Sequence, residues 1–447
     1  MDKSLDIDLY QARMLIAFYL TGRSQIIGTM EAFTRKLPKN RKFMTVCGIP
    51  RIADYLRTVK FTENTIRILK EVLPEINFTD DLCNYLYSIN FAKDLKLRAM
   101  SDGDIVFAEE PVISISGPIG LAQYVETKIL SILNHDIRIA SKAARIYLAA
   151  KGRPVVEFGG RRHADNMVAE AARAAYIGGF SSTSNVSAYE KYGIPVIGTM
   201  GHVWVMSYLD DELKAYKDWG KLFKDSVYLP DTYDTISGTK KVLEACRGNV
   251  GGIRLDSGNL SELSFHIRRD LNNRDAFKAK IGATNDLDEY EIDKLIENGN
   301  PIDWFGVGTR VVTTPDSPSC NFIYKLVEVD GVPVAKKSSD PGKTTLPGAK
   351  QVFRYFESRY NQNKQFTADI ISLNNEGGDT SGLLNDLDLN AKTPTALESR
   401  NKFIENIAMM PKYLTSFFDD GVTYRVMRSK NLTDTLQQFM LKNDNKY

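Results

Sequence analysis

Between residues 154 and 310, short apolar runs recur along the chain, and each run ends directly in a tight polar cluster. Helical patterns lie between several of these runs, and the clearest of them covers residues 164–175. Its small and apolar residues recur at the spacing of one helix face, namely Met167, Val168, Ala171, Ala172 and Ala175. Because strands that alternate with helices form a parallel sheet, the region is restricted to a barrel or a doubly wound sheet.

The positions of the polar clusters distinguish these two architectures. The apolar runs are Pro154–Phe158, Ala175–Phe180, Ile194–Thr199, Val227–Leu229, Gly251–Leu255, Lys280–Ala283 and Ile302–Val307. In a barrel, the loops that follow the strands converge on one face and form the active site. A doubly wound sheet with a single crevice does not need a polar cluster after nearly every strand. We therefore predict an irregular, seven-stranded α/β barrel over residues 126–326.

The two ends of the chain have sequence patterns that differ from those of the central region. Residues 1–125 mix helical periodicity with short alternating segments. Residues 327–447 begin with a hairpin pattern around Asp330 and Gly331, and their tail is mostly helical from Leu397 onward. Neither end looks complete alone, so we predict that the two ends pack together as one discontinuous domain.

Charge and cysteine content limit the classes of partner. The 58 Lys and Arg nearly balance the 56 Asp and Glu, and a net charge of +2 argues against nucleic acids and acidic membranes as partners. The four cysteines are widely spaced, and the acidic N-terminal segment does not resemble a signal peptide. No apolar run at the N-terminus approaches the ~20 residues that span a bilayer. We therefore expect a cytoplasmic protein with reduced thiols.

Two arginines at a predicted strand end are the first candidates for anion binding. Arg161 and Arg162 follow the run that ends at Phe158. Guanidinium groups stay charged and bind phosphate or pyrophosphate bidentately. Taken alone, the two arginines are equally well explained as a solvated surface pair that makes salt bridges.

His202 is a candidate catalytic residue. It follows the glycine-containing turn Gly198–Gly201 and precedes an apolar run. A single histidine is more often a structural residue than a catalyst, but its position after a strand-end turn favours function.

The last strand ends carry polar groups and glycines. Asp256 and Ser257 can hold sugar hydroxyls or a Mg²⁺-bound phosphate, and Arg254 points to the same side of its strand as Asp256. An Asp at such a turn is also a common helix N-cap. The Gly306–Thr309 loop can wrap a phosphate with backbone N–H groups, although turns use glycine routinely.

Taken in order, these segments resemble the nicotinate phosphoribosyltransferase family. The matching segments are DLYQ (8–11), FTRK (33–36), EFGGRRH (157–163), YIGGFSSTSNV (176–186), GTMGHVWV (198–205), LPDTYDT (229–235), IRLDSGN (253–259), FGVGTR (305–310) and DPGKTTLPGAK (340–350). The resemblance implies transfer of phosphoribosyl from phosphoribosyl pyrophosphate (PRPP) to nicotinate, which releases pyrophosphate and is coupled to hydrolysis of the co-substrate ATP with Mg²⁺. It also implies an α/β sandwich domain formed by both chain ends, here 1–125 and 327–447, and a homodimer with shared active sites.

The resemblance assigns a role to each matching residue. His202 corresponds to the histidine that ATP phosphorylates, and Asp231 to the carboxylate that orients it. Phe158 and the partner's Tyr10 resemble the aromatic pair that sandwiches the pyridine ring, and Arg254 would meet the nicotinate carboxylate. The remaining assignments are Asp256 and Ser257 to ribose or Mg²⁺, Gly306, Gly308 and Thr309 to the 5′-phosphate, and Arg161, Arg162 and the partner's Arg35 to pyrophosphate or ATP phosphates. Thr199, in the GTMGH segment, is expected among the substrate-binding residues.

Ser184 indicates which pyridine base, nicotinate or nicotinamide, the resemblance implies as the substrate. Relatives that use nicotinamide carry an acidic residue in the corresponding stretch, where it accepts from the amide NH₂. A carboxylate there would repel nicotinate, whereas a hydroxyl can donate to it. The resemblance therefore favours nicotinate. The alternatives are a nicotinamide or quinolinate phosphoribosyltransferase of the same fold and a catalytically silent scaffold that binds nucleotides.

Overall fold

A computed structural model describes residues 2–338, 343–358, 364–416 and 421–444. The chain forms two compact units: residues 1–138 with 319–447, and residues 139–318. The sequence predicts the divisions at 125/126 and 326/327 instead. The prediction at 326 cuts through the strand Ile323–Val329, which pairs along its length with Ile27–Phe33 of the first unit. No helix in the described ranges is both long and apolar enough to cross a bilayer.

The strands are β1 Ile27–Phe33, β2 Met44–Thr45, β3 Lys96–Ala99, β4 Ile105–Val106, β5 Ile113–Pro118, β6 Val155–Glu157, β7 Ser182–Thr183, β8 Val227–Tyr228, β9 Gly252–Leu255, β10 Lys280–Ala283, β11 Trp304–Val307, β12 Ile323–Val329, β13 Val332–Pro333, β14 Lys350–Ser358, β15 Lys364–Leu373, β16 Asn385–Leu387 and β17 Val426–Arg428.

The α-helices are α1 Leu9–Leu20, α2 Ile49–Thr58, α3 Glu63–Val72, α4 Asp80–Ser88, α5 Phe91–Asp94, α6 Ile119–Tyr124, α7 Glu126–Ala149, α8 Val168–Ile177, α9 Val186–Tyr192, α10 His202–Met206, α11 Glu212–Leu222, α12 Thr235–Cys246, α13 Leu260–Asn272, α14 Glu289–Glu297, α15 Thr309–Thr313, α16 Ala396–Ala408, α17 Lys412–Thr415 and α18 Lys430–Asp444. Short 3₁₀ turns cover Lys3–Leu5, Gly160–Arg162 and Asp165–Met167.

The unit formed by the chain ends contains an antiparallel sheet with the strand order β13-β12-β1-β5-β3-β16. Its β12–β13 connection is the predicted hairpin, in which Val329 pairs with Val332. Asp330 and Gly331 both have positive φ, as a tight two-residue turn requires, so this prediction is confirmed. A second sheet has the order β14-β15-β17. In the DPGKTTLPGAK segment, Asp340–Gly342 lie outside the described residues.

The unit of residues 139–318, all of which the structure describes, contains a six-stranded parallel sheet with the order β7-β6-β11-β10-β9-β8. Its fold is mixed α/β, with the sheet curled into a half-barrel that is open at β7 and β8. The strands lie near the predicted runs except at two places, so the prediction of seven strands is wrong. The helix predicted over 164–175 is present as α8 and the 3₁₀ turn before it.

The first exception is Ala175–Phe180. Ala175 and Ile177 complete the buried face of α8, and the chain turns at Gly178 and Gly179 before β7 begins. The second exception is Ile194–Thr199, which forms only a single bridge between Val196 and Thr183. Pro195 has no N–H group to extend a ladder.

Candidate active site

The loops after the parallel strands surround a cavity of about 910 Å³. Because parallel strands end at the same edge of a sheet, the residues that follow them come together there. The predicted residues that line the cavity are Phe158, Arg161, Arg162, Ser184, Thr199, Arg254, Asp256, Gly306, Gly308 and Thr309. The structure therefore brings most of the predicted site together in one unit.

Arg254, on β9, is held in the cavity from two directions. Its Nη1 donates to Thr199 Oγ1 at 2.7 Å, and its Nη2 lies 3.3 Å from Asp256 Oδ2. The guanidinium carbon is 5.8 Å from the centre of the Phe158 ring, close enough for a cation–π contact. Among the described residues, nothing hydrogen-bonds to its Nε–H, although that atom is buried. This arginine therefore has an unsatisfied donor beside an aromatic ring.

His202 begins α10 and forms a chain of hydrogen bonds with neighbouring loops. Its Nε2 lies 3.0 Å from Asp231 Oδ1, and Ser257 Oγ donates to the other oxygen of Asp231 at 2.6 Å. The Asp231 side chain is 2% exposed, whereas His202 is 38% exposed. One candidate ligand atom from each of His202, Asp231 and Asp256 lies within 4.8 Å of the others. The predicted catalytic residues are thus adjacent.

Gly306, within β11, and Gly308, directly after it, permit close contact with the segment that carries Phe158. A Cβ at Gly306 would lie 2.6 Å from the Phe158 ring, and a Cβ at Gly308 would lie 2.9 Å from the Phe158 carbonyl oxygen. Arg162 Nε donates to Thr309 Oγ1 at 3.4 Å. A side chain at Gly306 would therefore displace the Phe158 ring.

The loop after β10 also lines the cavity, and the sequence reasoning assigned it no role. Thr284 Oγ1 donates to Asp256 in a short hydrogen bond, and Asp286 lies 3.0 Å from Arg310 Nη2. Asn285 and Asp286 both have positive φ, which is uncommon for residues other than glycine. The available signal was the polar TND cluster directly after a predicted strand.

Tyr10 and Arg35 belong to the unit formed by the chain ends. The Tyr10 hydroxyl donates to Glu126 at 2.9 Å. Burial and the neighbouring Glu126 carboxylate raise the pKa of Tyr10 to about 12. Arg35 Nη2 donates to the Lys343 carbonyl at 3.2 Å, and its buried Nε has no hydrogen-bond partner among the described residues. Arg35 lines a cavity of about 120 Å³ with Lys350 and Arg428.

Family models and known proteins match most of the chain. Residues 5–134 match the model of the nicotinate phosphoribosyltransferase N-terminal domain, and residues 154–368 match the model of the nicotinate phosphoribosyltransferase family. A nicotinate phosphoribosyltransferase of Mycobacterium tuberculosis is 35% identical over 444 residues, covering 97% of this chain and 93% of its own. The chain belongs to the nicotinate phosphoribosyltransferase family.

A further relative and two solved structures are also similar to this chain. The nicotinate phosphoribosyltransferase of Bacillus subtilis is 38% identical over 83% of this chain and 76% of its own. The crystal structure of human nicotinic acid phosphoribosyltransferase has a TM-score of 0.82 at 23% identity, covering 97% of this chain and 99% of that one. A nicotinate-nucleotide pyrophosphorylase from Pyrococcus furiosus has a TM-score of 0.73 at 24% identity, covering 90% and 95%. Both structures share the fold.

Proposed function

We propose that this protein transfers the 5-phosphoribosyl group of PRPP to nicotinate and forms nicotinate mononucleotide and pyrophosphate, as a step of NAD biosynthesis. The environment of Arg254 in the cavity is the observation that supports the proposal most directly. The Nε–H of Arg254 is buried and has no hydrogen-bond partner within residues 2–338, 343–358, 364–416 and 421–444, which points to an acceptor from a ligand. A carboxylate on a flat aromatic ring fits this position, because the guanidinium would bind the carboxylate while the ring packs beside Phe158.

The ribosyl and phosphate groups are assigned to neighbouring loops. Asp256 and Ser257 would accept from or donate to the ribose hydroxyls, and the loop Gly306–Thr309 would hold the 5′-phosphate through its N–H groups. Arg161 and Arg162 would neutralise the leaving pyrophosphate. Positive charge develops at ribose C1 as the bond to pyrophosphate breaks, so the protein acts by positioning both reactants and stabilising the leaving group.

ATP is proposed to phosphorylate His202. With Nε2–H donating to Asp231, the lone pair of the imidazole is on Nδ1, which is therefore the nucleophile toward the γ-phosphate. The buried Asp231 carboxylate would stabilise the positive charge on the ring as the new N–P bond forms.

Magnesium would accompany PRPP and ATP. The hard oxygens of Asp231 and Asp256 suit this cation, and they lie close together, so the residues present fit it. Bound Mg²⁺ would neutralise phosphate charge and favour departure of pyrophosphate.

The preference for nicotinate over nicotinamide is assigned to Ser184 together with Arg254. Ser184 is exposed at the cavity wall, and its hydroxyl can donate to a carboxylate. An acidic side chain there would repel nicotinate and accept from an amide.

The homodimer with shared active sites is part of the same proposal, with residues 1–138 and 319–447 forming a sandwich domain that contributes to the site of the other subunit. Its Tyr10 would pack on the pyridine ring, and Arg35 would reach the phosphates. The buried Nε–H of Arg35, for which the described part of the chain offers no acceptor, supports an anionic ligand there. We propose a cytoplasmic location on the basis of the widely spaced cysteines.

A comparison of nicotinate, nicotinamide and quinolinate as substrates, each with PRPP and with or without ATP, tests the proposal. Mononucleotide should form from nicotinate and form faster with ATP. Full activity with nicotinamide and none with nicotinate would overturn the substrate assignment. Nucleotide binding without turnover of any base would indicate a silent scaffold.

A further inference from the structure

Glu157 is a buried carboxylate at the end of β6, directly before Phe158. Only 1% of the Glu157 surface is exposed, and each oxygen of its carboxylate accepts one hydrogen bond. One oxygen accepts a short bond from the Gly159 N–H group, and the other accepts from Thr183 Oγ1 at 2.6 Å. The side chain therefore joins the turn after β6 to strand β7.

The main chain strengthens this connection. The Glu157 carbonyl accepts from the Ser184 N–H at 3.0 Å, and Glu157 pairs with Thr183 across the two strands. Thr183 in turn donates its N–H to the Pro195 carbonyl at 3.0 Å and accepts from the Ile197 N–H at 2.9 Å. Glu157 and Thr183 thus link the loops that carry Phe158, Ser184 and Thr199.

Gly159 allows the carboxylate to approach the backbone. A Cβ at Gly159 would lie 2.9 Å from Glu157 Oε1 and 2.5 Å from a Val312 methyl group. Burial raises the pKa of Glu157, and the hydrogen bonds from Thr183 and Gly159 act against that rise. An apolar residue would fill the space without a desolvation cost but would connect neither loop.

We propose that Glu157 is a positioning residue that sets the spacing between the loops that carry Phe158 and Ser184 and so the fit of the pyridine base. The inference rests on the proposed function. Phe158 would contact the ring face, Ser184 its substituent, and Thr199 holds Arg254. A shift of the loops that carry Ser184 and Thr199 changes the fit of the base more than the fit of PRPP, which the loops after β9 and β11 and the arginines Arg161 and Arg162 would bind.

The variants Glu157→Gln and Thr183→Val test the inference. Glutamine keeps one acceptor oxygen and cannot accept from both donors, and valine removes only the hydroxyl. Each should raise KM for nicotinate about tenfold, and in Thr183→Val, which leaves the Glu157–Gly159 contact of the arginine loop in place, KM for PRPP should change less than about threefold. Thr183→Val also leaves the Asn185 N–H without its acceptor at 3.0 Å, so the double variant should fall short of the sum of the two single effects by the Glu157–Thr183 contact that they share.

Glu212→Gln is the matched control. Glu212 is a buried carboxylate of the same unit that accepts from Tyr216 at 2.9 Å and Lys241 at 2.5 Å, and it does not line the cavity. The Glu212→Gln change should lower the melting temperature without a selective change in KM for nicotinate. Equal increases in both KM values that follow the loss of melting temperature would overturn the inference, as would unchanged KM values.

The two proposals fail in different ways. A wild-type protein that uses nicotinamide but not nicotinate contradicts the proposed function, and KM for nicotinamide in the same variants then decides the role of Glu157. If Glu157→Gln does not fold, Thr183→Val alone decides it, because that change preserves volume and keeps the Glu157–Gly159 contact.

Discussion

Replacement of Arg254 by methionine removes the guanidinium and keeps most of the length of the side chain. In the native site, Thr199 occupies one Nη group and Asp256 lies near the other, while the buried Nε–H has no partner in the part of the chain that the structure describes. A nicotinate carboxylate would gain charge-assisted hydrogen bonds from this group. Such contacts are worth about 3 kcal/mol together, which corresponds to about 150-fold in kcat/KM.

Initial rates of mononucleotide formation at saturating PRPP measure this effect. For Arg254→Met, kcat/KM for nicotinate should fall about 150-fold, and kcat/KM for nicotinamide should fall less than about fivefold. Arg268→Met is the control, because Arg268 pairs with Asp303 at 3.0 Å in the same unit and does not line the cavity. Equal losses for both bases, or an increase confined to KM for PRPP, would refute the assignment of Arg254 to the carboxylate.

Other perturbations test other parts of the account. His202→Ala should abolish stimulation by ATP and leave ATP-free transfer measurable, and a retained ATP effect in rate assays would exclude a phosphohistidine at this position. Ser184→Asp should lower kcat/KM for nicotinate about tenfold by like-charge repulsion and favour nicotinamide in a competition assay, whereas an unchanged preference would count against its role. For Asp2, burial raises the pKa, but hydrogen bonds from Ser4 and two threonines outweigh it and lower the pKa from 3.8 to about 2. Its contribution of about 1 kcal/mol, reduced by solvent screening, is therefore present above pH ~4 and lost as the pH falls toward 2. The difference in melting temperature between wild type and Asp2→Asn should shrink over that interval, and a constant difference would contradict it.

Local patterns in the sequence predicted the central strands where an apolar run ends in a polar cluster. Gly251–Leu255 and Lys280–Ala283 became β9 and β10 because their β-branched and small residues are buried on both faces. The same rule failed at Ala175–Phe180, where the apolar residues complete a helix face. Periodicity cannot separate a short buried strand from the end of a buried helix.

The site was predictable where a residue lies in or just after a predicted apolar run within a recognisable segment, as for Arg254 and His202. The contributions of Thr284 and Asp286 depend on β10 lying between β9 and β11, which is a property of strand order and not of local sequence. Glu157 begins the EFGGRRH segment, but its two contacts as an acceptor are visible only when β6 and β7 are paired.

The ratio of kcat/KM for nicotinate to kcat/KM for nicotinamide, measured on the unmodified protein at saturating PRPP, tests the central claim most directly. A site built around the Arg254 guanidinium should favour the carboxylate over the amide, so we predict a ratio above about 100. A ratio near one or below it would contradict the assignment of this cavity to a pyridine carboxylate.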